Sequence, residues 1–285
     1  MELPSIHQSG RILADRCGNP KPPRFGFLGV APVLAQDLLT FALARLRGVN
    51  LKAPHLTALP LVAALALGAA LAQGATGTSA SSSAATVSKP GPTPSGYTRV
   101  PDLSAKPERS FKAQPKYALE AGKDYYAVMD TTKGQIVLDL LEKQTPTTVN
   151  SFVWLARHHF FDGIAFHRVI AGFVVQGGDP NTLQKDRNTW GTGGPGYSIP
   201  LEVRRSLNFD AKGVLGMARS SDPNSGGSQF YITLAPATPL NGQYTVFGKV
   251  TQGEGVLDKI TKYEAPAAAG TPDKMLDLYI VTKNK

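Results

Sequence analysis

One stretch of the chain, residues 166–179, brings a cation, an amide and several apolar side chains together within a few positions. Its letters are FHRVIAGFVVQGGD, in which Arg168 and Gln176 are the polar groups and Phe173 and Val174 are their apolar neighbours. No evident nucleophile or cluster of metal ligands accompanies them in the sequence. Such a set is suited to holding an uncharged, partly apolar ligand that forms hydrogen bonds, such as a stretch of peptide.

A second stretch, GGSQFYIT at residues 226–233, adds another amide and another aromatic ring. Because side chains alternate along a strand, Gln229 and Tyr231 share one face, and Phe230 and Ile232 share the other. We therefore expect one face of this strand to pack a core and the other to present a site.

Together with a third motif, these residues resemble the cyclophilin family of peptidyl-prolyl cis/trans isomerases. The matching motifs are FHR-x-I-x-GF-x-x-QGGD at 166–179, GSQFYI at 227–232 and LNGQYTVFG at 240–248. Three long motifs in the family's order are a much more specific signal than one short pattern. The resemblance spans about residues 125–282 and does not extend to the first part of the chain.

The resemblance implies both a fold and an activity. Many short strands, frequent turns and only two helical segments predict an antiparallel barrel or sandwich. From these, the resemblance selects a mainly β fold, a closed eight-stranded antiparallel β-barrel capped by two α-helices. The implied activity is cis/trans rotation of the peptide bond before proline, with no cofactor and no metal.

The resemblance also implies roles for individual residues. Arg168 would donate a hydrogen bond to the prolyl nitrogen as that atom becomes pyramidal. Gln176 would hold the substrate backbone or orient Arg168, so these two are the expected catalytic residues. The residues expected to enclose the proline ring, flank the peptide or support the site are Phe173, Val174, Ala218, Arg219, Gln229, Tyr231, Leu240 and Tyr244.

The first motif carries a geometric difficulty. Strict alternation along one strand places Gln176 on the face of Arg168 but places Phe173 on the opposite face. Gly172 must therefore bend or bulge the strand for the three side chains to converge. Two simpler interpretations stay open: Arg168 as a solvated surface cation, and Phe173 and Tyr231 as ordinary core residues.

Four positions depart from the commonest pattern of the family. Val174 replaces methionine and Tyr231 replaces phenylalanine, which keeps the pocket apolar and adds one polar tip. Pro239 replaces a tryptophan that the family associates with tight cyclosporin binding, so weak inhibition is expected. Tyr244 replaces a histidine that this mechanism does not need as an acid or base.

Other chemistries find little support in the sequence. His158, His159 and His167 have no carboxylate or cysteine at recognisable ligand spacing, so packing or capping is the better interpretation. Ser228 lacks the second glycine and the paired histidine and aspartate of a serine hydrolase. The glycine-rich loop at 181–197 is not followed by the Lys-Ser pair or the helix of a phosphate-binding loop.

Local patterns predict the elements that carry these residues. Residues 125–130 and 135–140 predict a hairpin around Gly134. Thr145 and Pro146 predict the start of a helix, with Thr145 as its cap and proline at its first position. The remaining predicted elements are a strand at 246–250, a short helix at 255–262 and a closing strand at 276–281.

Charge is distributed unevenly along the 285 residues, whose formal net charge is +9. The first 115 residues hold 12 basic and 5 acidic side chains, and the rest hold 18 and 16, for net charges of +7 and +2. Most of the positive charge therefore lies outside the motif-bearing part, which argues against nucleic acid as a partner. The single cysteine, Cys17, cannot form an intramolecular disulfide.

Residues 49–72 match a secretory signal peptide. Basic residues, among them Arg47 and Lys52, precede an apolar run of about 15 residues, and this run ends in ALA at 70–72. The run is shorter than the roughly 20 residues that cross a bilayer comfortably. We therefore expect export to a periplasmic, cell-envelope or secreted location, with a retained membrane anchor as the alternative.

The remaining segments divide by composition. Residues 1–48 are expected to be an upstream extension or the product of a mis-assigned start, with the true start near Val49. Residues 73–115 are rich in Ala, Ser, Thr, Pro and Gly, which predicts a disordered linker. Residues 116–285 are the expected cyclophilin-like isomerase domain.

The function expected from these features is prolyl isomerisation during the folding of exported proteins. Its partners would be proline-containing peptides and unfolded exported chains, bound by a monomer that neither binds nucleic acid nor stays inserted in a membrane after cleavage. A proline-peptide binding module or chaperone with little turnover is the alternative, and a cell-surface scaffold is a third possibility. The combination of Arg168, Phe173 and Gln176 favours the enzyme.

Overall fold

Ten strands and two α-helices form most of the regular structure in residues 86–284, the part of the chain that the computed structural model describes. The strands are β1 (Tyr97–Arg99), β2 (Tyr125–Thr131), β3 (Gly134–Leu140), β4 (Arg168–Ile170), β5 (Val174–Gly177), β6 (Val214–Met217), β7 (Phe230–Thr233), β8 (Val246–Gln252), β9 (Tyr263–Glu264) and β10 (Met275–Lys283). The helices are α1 (Pro146–Arg157) and α2 (Glu254–Leu257). Short 3₁₀ turns cover Pro180–Leu183, Arg187–Thr189 and Thr238–Leu240. The fold is mainly β, as predicted.

All ten strands belong to one antiparallel sheet with the order β1-β10-β2-β3-β8-β6-β7-β5-β4-β9. The predicted number of eight is wrong because two short strands, β1 and β9, extend the sheet at its ends. The predicted closure is not confirmed, since this order has two ends. An isolated bridge joins Ala165 to Lys274, beside a hydrogen bond of 2.9 Å from Phe166 N to Asp273 O.

The larger apolar cluster lies on one face of the sheet and receives α1. Alternate residues of β2, Ala127 and Met129, point into it, whereas Val128 belongs to a separate cluster on the opposite face. Phe152 of α1 lies 5.5 Å from Phe230, measured between ring centroids, and is fully buried. The helix therefore packs against the strand that carries the second motif.

Helix α1 begins with proline as predicted, but its cap differs from the prediction. Thr145 is the N-cap residue, yet its hydroxyl donates backwards to Leu141 O over 3.2 Å instead of accepting from the helix. The carboxylate of Glu202 takes this role from a distant loop, accepting from Thr147 N at 3.2 Å and from Thr148 N at 2.7 Å. A negative charge there also suits the helix dipole. Local spacing could not reveal this partner.

The hairpin of β2 and β3 is confirmed, with Thr132 and Lys133 in the turn before Gly134. Gly134 has a φ of +132°, a value that favours glycine. The strands predicted at 246–250 and 276–281 are confirmed as β8 and β10. The helix predicted at 255–262 is shorter than expected, since α2 ends at Leu257.

The disordered linker predicted for residues 73–115 is wrong for residues 86–115, which form an arm against the sheet. Tyr97 pairs with Lys283 across β1 and β10, and the Arg99 guanidinium stacks 4.3 Å from the ring centroid of Tyr279. The composition of this arm is poor in large apolar residues. Backbone pairing and a few aromatic and cationic contacts attach it instead, and composition does not report such contacts.

The predicted extension at 1–48, the signal peptide at 49–72 and the first part of the linker lie outside the described residues. Among residues 86–284, no helix has both the length and the apolar character needed to cross a membrane.

Candidate active site

A row of paired residues crosses four strands at the centre of the site. Arg168 of β4 faces Gln176 of β5, and Gln176 faces Tyr231 of β7. On its other side, Arg168 faces Glu264 of β9. Directly opposed side chains on antiparallel strands lie about 4.5 to 5.5 Å apart at Cβ. The sheet therefore places the cation and amide of the first motif beside the aromatic ring of the second.

Arg168 and Gln176 face each other because β4 and β5 are separate strands of a tight hairpin. Gly172 lies in the turn with a φ of +69°, and Phe173 N closes the turn onto Ile170 O over 3.0 Å. The expected bend at Gly172 is thus a full chain reversal. A single bent strand is wrong, because periodicity alone does not show where the chain turns back.

A chain of hydrogen bonds orients Arg168. Its Nη1 donates to Gln176 Oε1 over 3.4 Å, and Gln176 Nε2 donates to Gln229 Oε1 over 3.1 Å. Gln229 Nε2 then donates to Gly191 O at 3.0 Å and to Gly193 O at 2.9 Å. Each amide is held at both ends, so its oxygen and nitrogen have fixed directions. Of the two roles considered for Gln176, this geometry matches orientation of Arg168.

A shallow depression opens beside the guanidinium. It encloses about 190 Å³, including the space at its open mouth. Five of the predicted substrate-binding residues line it together with Arg168, namely Phe173, Val174, Tyr231, Leu240 and Tyr244. Its walls are thus apolar and aromatic, with one cation at the edge.

The other predicted residues lie around this depression without lining it. Gln176 is buried behind Arg168, and Gln229 lies behind Gln176. Ala218 is buried in the apolar cluster beneath the depression. Arg219 stacks on the outer side, its guanidinium 4.6 Å from the ring centroid of Tyr244, and donates to Gln243 O over 3.0 Å.

Arg168 is mostly withdrawn from water, which rules out a solvated surface cation. Its side chain is 12% exposed, and its guanidinium lies 5.7 Å from the ring centroid of Phe173. Burial lowers the pKa of Arg168, while Glu264, with its carboxylate 3.6 Å from Arg168 Nε, opposes that shift. An arginine keeps its charge under such a shift because its ordinary pKa is far above neutral pH. The site therefore presents a fixed positive donor.

The neighbouring histidine carries no charge at neutral pH. Burial, with a further contribution from the charge of Arg168, lowers the pKa of His167 to about 4. Neither of its ring nitrogens has a hydrogen-bond partner among the described residues. His167 therefore packs as a neutral ring, as the sequence suggested, and does not supply a proton near pH 7.

A second histidine lies in a charged cluster away from the site. The possible ligand atoms of His159, Asp162 and Asp277 all lie within 4.8 Å of one another, a grouping that sequence spacing did not reveal. Arg99 Nη1 lies 3.6 Å from Asp277, and Arg109 Nη2 donates to Asp162 O over 2.6 Å. The Arg109 bond reaches the backbone oxygen of Asp162, whereas His159 Nδ1 lies 3.0 Å from the Asp162 carboxylate. We therefore interpret the cluster as a network of mutually paired polar groups.

The sequence profile of the family described as "Cyclophilin type peptidyl-prolyl cis-trans isomerase/CLD" matches residues 126–280, more than half of the chain. The chain belongs to the cyclophilin-type peptidyl-prolyl cis-trans isomerases. This membership confirms the resemblance in the three motifs and the isomerase activity that it implied. The arm at 86–115 lies outside the matched residues.

Relatives of this cyclophilin match the same part of the chain. A peptidyl-prolyl cis-trans isomerase of Helicobacter pylori (strain ATCC 700392 / 26695) is 46% identical over 143 residues, which are 50% of this chain and 83% of the relative. The human peptidyl-prolyl cis-trans isomerase-like 1 is 40% identical over 48% of this chain and 79% of its own length. A crystal structure of a Cryptosporidium parvum cyclophilin-type isomerase is similar over 55% of this chain and 97% of its own, with 30% identity and a TM-score of 0.48.

Four residues of this cyclophilin site received no role from the sequence. Glu264 meets Arg168 from a two-residue strand, and a Cβ at Gly216 would lie 2.4 Å from Tyr231 Cζ.

The other two are Asp179 and Phe209. Asp179 is fully buried and accepts from Asn181 N and Gly191 N at the base of the glycine-rich loop. Phe209 lies 5.5 Å from Tyr231 between ring centroids. Of these four residues, only Asp179 could have been found from the sequence, because it is the last residue of the first motif.

Proposed function

We propose that this cyclophilin accelerates X-Pro rotation through a hydrogen bond from Arg168 to the prolyl nitrogen. That nitrogen is a poor acceptor while it is conjugated with the carbonyl, and it gains a lone pair when the bond twists. A donor at this position therefore stabilises the twisted state more than either planar state, which is the requirement for catalysis.

The observation that carries this proposal is the position of one buried guanidinium at the edge of an apolar depression. The rings of Phe173 and Tyr231, together with Leu240, offer the proline ring an apolar wall. Gln176 holds the guanidinium in one direction. A proline ring seated in the depression would present its nitrogen toward the cation.

The size of the effect is within reach of these groups. The uncatalysed barrier is about 18 to 20 kcal/mol. Removing roughly 6 kcal/mol would speed rotation by about four orders of magnitude, at 1.36 kcal/mol for each factor of ten. One charge-assisted hydrogen bond in a water-poor site, together with positioning of the peptide, can supply that amount.

The test is the cis/trans exchange rate of a short X-Pro peptide, measured by NMR exchange spectroscopy with the full chain and with Arg168→Ala and Arg168→Lys. We expect Arg168→Ala to lower kcat/KM by about a hundredfold or more, with an unchanged circular dichroism spectrum. Arg168→Lys should restore little of this activity, because lysine lacks the planar guanidinium group that Gln176 orients. Arg205→Ala is the matched control, since Arg205 is exposed and does not line the depression.

Two results would contradict the proposal. Full activity in folded Arg168→Ala would remove the role of the guanidinium. If the unmodified chain binds the peptide but leaves exchange at its uncatalysed rate, a proline-peptide binding module becomes the better description.

For the cellular role, we propose that the enzyme assists the folding of exported proteins as a monomer. The support is the signal-peptide pattern at 49–72, and proline-containing unfolded chains would be its substrates. Fractionation of the source cells followed by N-terminal sequencing tests this. We expect an exported form that begins at Gln73, and a form confined to the cytoplasm with an intact leader would contradict it.

We also propose that the sheet closes into a barrel between the segment before β4 and the start of β10. The support is a run of backbone hydrogen bonds beyond the Ala165 bridge: Gly163 N to Met275 O and Met275 N to Ile164 O, both at 2.9 Å. Hydrogen exchange of these amides measures closure. Protection equal to that of β2 amides is expected, and fast exchange would mean an open seam.

A further inference from the structure

The arm at 86–115 ends beside the glycine-rich loop that supports the active site. Phe111 N donates to Pro195 O over 2.8 Å. A Cβ at Gly196 would lie only 2.5 Å from Phe111 O, and Gly196 has a φ of +92°. The two backbones therefore lie so close that the loop requires glycine where the arm crosses it.

The ring of Phe111 anchors this crossing on helix α1. Its centroid lies 4.2 Å from the ring centroid of Trp154 and 5.4 Å from that of His158, and both pairs are edge to face. The end of the loop is held on the same helix, because Tyr197 OH lies 2.9 Å from Ser151 Oγ. Helix, arm and loop thus meet at one point.

From that point the loop leads directly to the catalytic hydrogen bonds. Pro195 packs on Gly227, where a Cβ would lie 3.0 Å from Pro195 Cδ. Four residues earlier in the loop, Gly191 O accepts from the amide of Gln229, as does Gly193 O. A displacement of Pro195 would therefore move the two carbonyls that fix Gln229.

We propose that Phe111 is a positioning residue for the isomerase reaction. By seating Pro195 against α1, it fixes the loop carbonyls and hence Gln229, Gln176 and the guanidinium of Arg168. The arm lies outside the matched family residues, so this role is a property of this chain's own extension. For its kinetic readout, the inference rests on the proposed function of Arg168.

The test compares Phe111→Ala with the unmodified full chain, at a temperature where both are fully folded by circular dichroism. Because Arg168 acts in the twisted state, we expect kcat to fall by about threefold to tenfold with little change in KM. The side-chain amide resonances of Gln229 should also shift in the nitrogen-proton NMR spectrum, since their two acceptors move. Phe111→Tyr keeps the ring and should restore both readouts.

Tyr97→Ala is the matched control. It also removes an aromatic ring from the arm, 5.1 Å from the Tyr126 ring centroid and far along the arm from the loop crossing. We expect it to lower the melting temperature while leaving kcat and the Gln229 resonances unchanged.

Three outcomes decide whether Phe111 is a positioning residue. Unchanged kcat and unmoved Gln229 resonances in folded Phe111→Ala would overturn the inference, and an equal loss of kcat in Tyr97→Ala would reduce it to general destabilisation. If the unmodified chain does not catalyse exchange, the proposed function fails separately. The Gln229 resonances then decide alone whether Phe111 positions the loop.

Discussion

Arg168 and Gln176 face each other across β4 and β5, and Arg168 Nη1 donates to Gln176 Oε1 over 3.4 Å. The register of one hairpin thus fixes the direction of the group that we assign to catalysis. Gln176 is 5% exposed, so it acts from behind the guanidinium and not at the mouth of the depression.

Replacing Gln176 should therefore impair turnover more than peptide binding. We expect Gln176→Leu, which has a similar volume, to lower kcat by about tenfold with KM nearly unchanged, because Arg168 loses its acceptor. NMR exchange at several peptide concentrations separates the two constants. Gln252→Leu, at an exposed position of β8, is the control. A rise in KM at constant kcat would mean that Gln176 binds the substrate backbone.

Gly216 makes room for Tyr231, and its replacement should cost stability and activity together. The added Cβ of Gly216→Ala would lie 2.4 Å from Tyr231 Cζ, so the ring must move toward the depression. We expect a loss of about 2 kcal/mol in the free energy of unfolding, the size of a typical overpacking effect, and a higher KM. Urea unfolding measures the change in free energy, and the exchange rate at several peptide concentrations measures KM.

Gly255→Ala is the matched control for Gly216→Ala, since a Cβ at Gly255 meets nothing within 4 Å and the residue lies in helix α2. We expect it to be neutral or to stabilise by a few tenths of a kcal/mol. Equal effects of the two substitutions would show that crowding of Tyr231 is not the cause.

Arg109 should stabilise the end of α1. Its guanidinium donates to His159 O, Phe160 O and Asp162 O in the turn that follows the helix. Arg109→Met keeps the apolar stem but removes these donors, which should lower the free energy of unfolding by about 2 kcal/mol. Lys112→Met, at an exposed position on the same arm, should change it little. A similar loss in both variants would contradict the capping role.

Asp162 should make stability depend on pH. Burial, with a further contribution from Asp277, raises the pKa of Asp162 to about 6, above the value near 3.9 of an unfolded chain. The folded state therefore binds this proton more tightly. The stabilisation that this proton gives to the folded state is fully present below about pH 4 and is lost as the pH rises through 6. The loss in the free energy of unfolding is about 1 to 2 kcal/mol after allowance for the partial exposure of the side chain.

The measurement is the difference in unfolding free energy between the unmodified chain and Asp162→Asn, from urea titrations between pH 4 and 7. A difference is needed because the lowered pKa of His167, about 4, acts in the opposite direction over the same range. We expect Asp162→Asn to gain relative stability as the pH rises. Asp210→Asn, at an exposed position, should give a flat difference. A flat difference for Asp162→Asn would refute the raised pKa.

Sequence patterns predicted those parts of the fold that depend on near neighbours. The hairpin of β2 and β3, the proline at the start of α1 and the strands β8 and β10 follow from spacing within a few residues. The cap of α1 did not follow, because Glu202 reaches it from another loop. The arm at 86–115 was missed because backbone pairing holds it, and backbone groups are the same in every sequence.

By itself, the sequence determined the family, the reaction class and most of the side chains around the depression, because the three motifs contain those residue types in a fixed order. Only the tertiary structure decided how they act together. It paired Arg168 with Gln176 and Glu264, placed Gly216 under Tyr231 and brought Phe111 to the loop. The reason is physical: each of these contacts depends on strand register or on chain reversal, and local periodicity does not encode which strand becomes a neighbour.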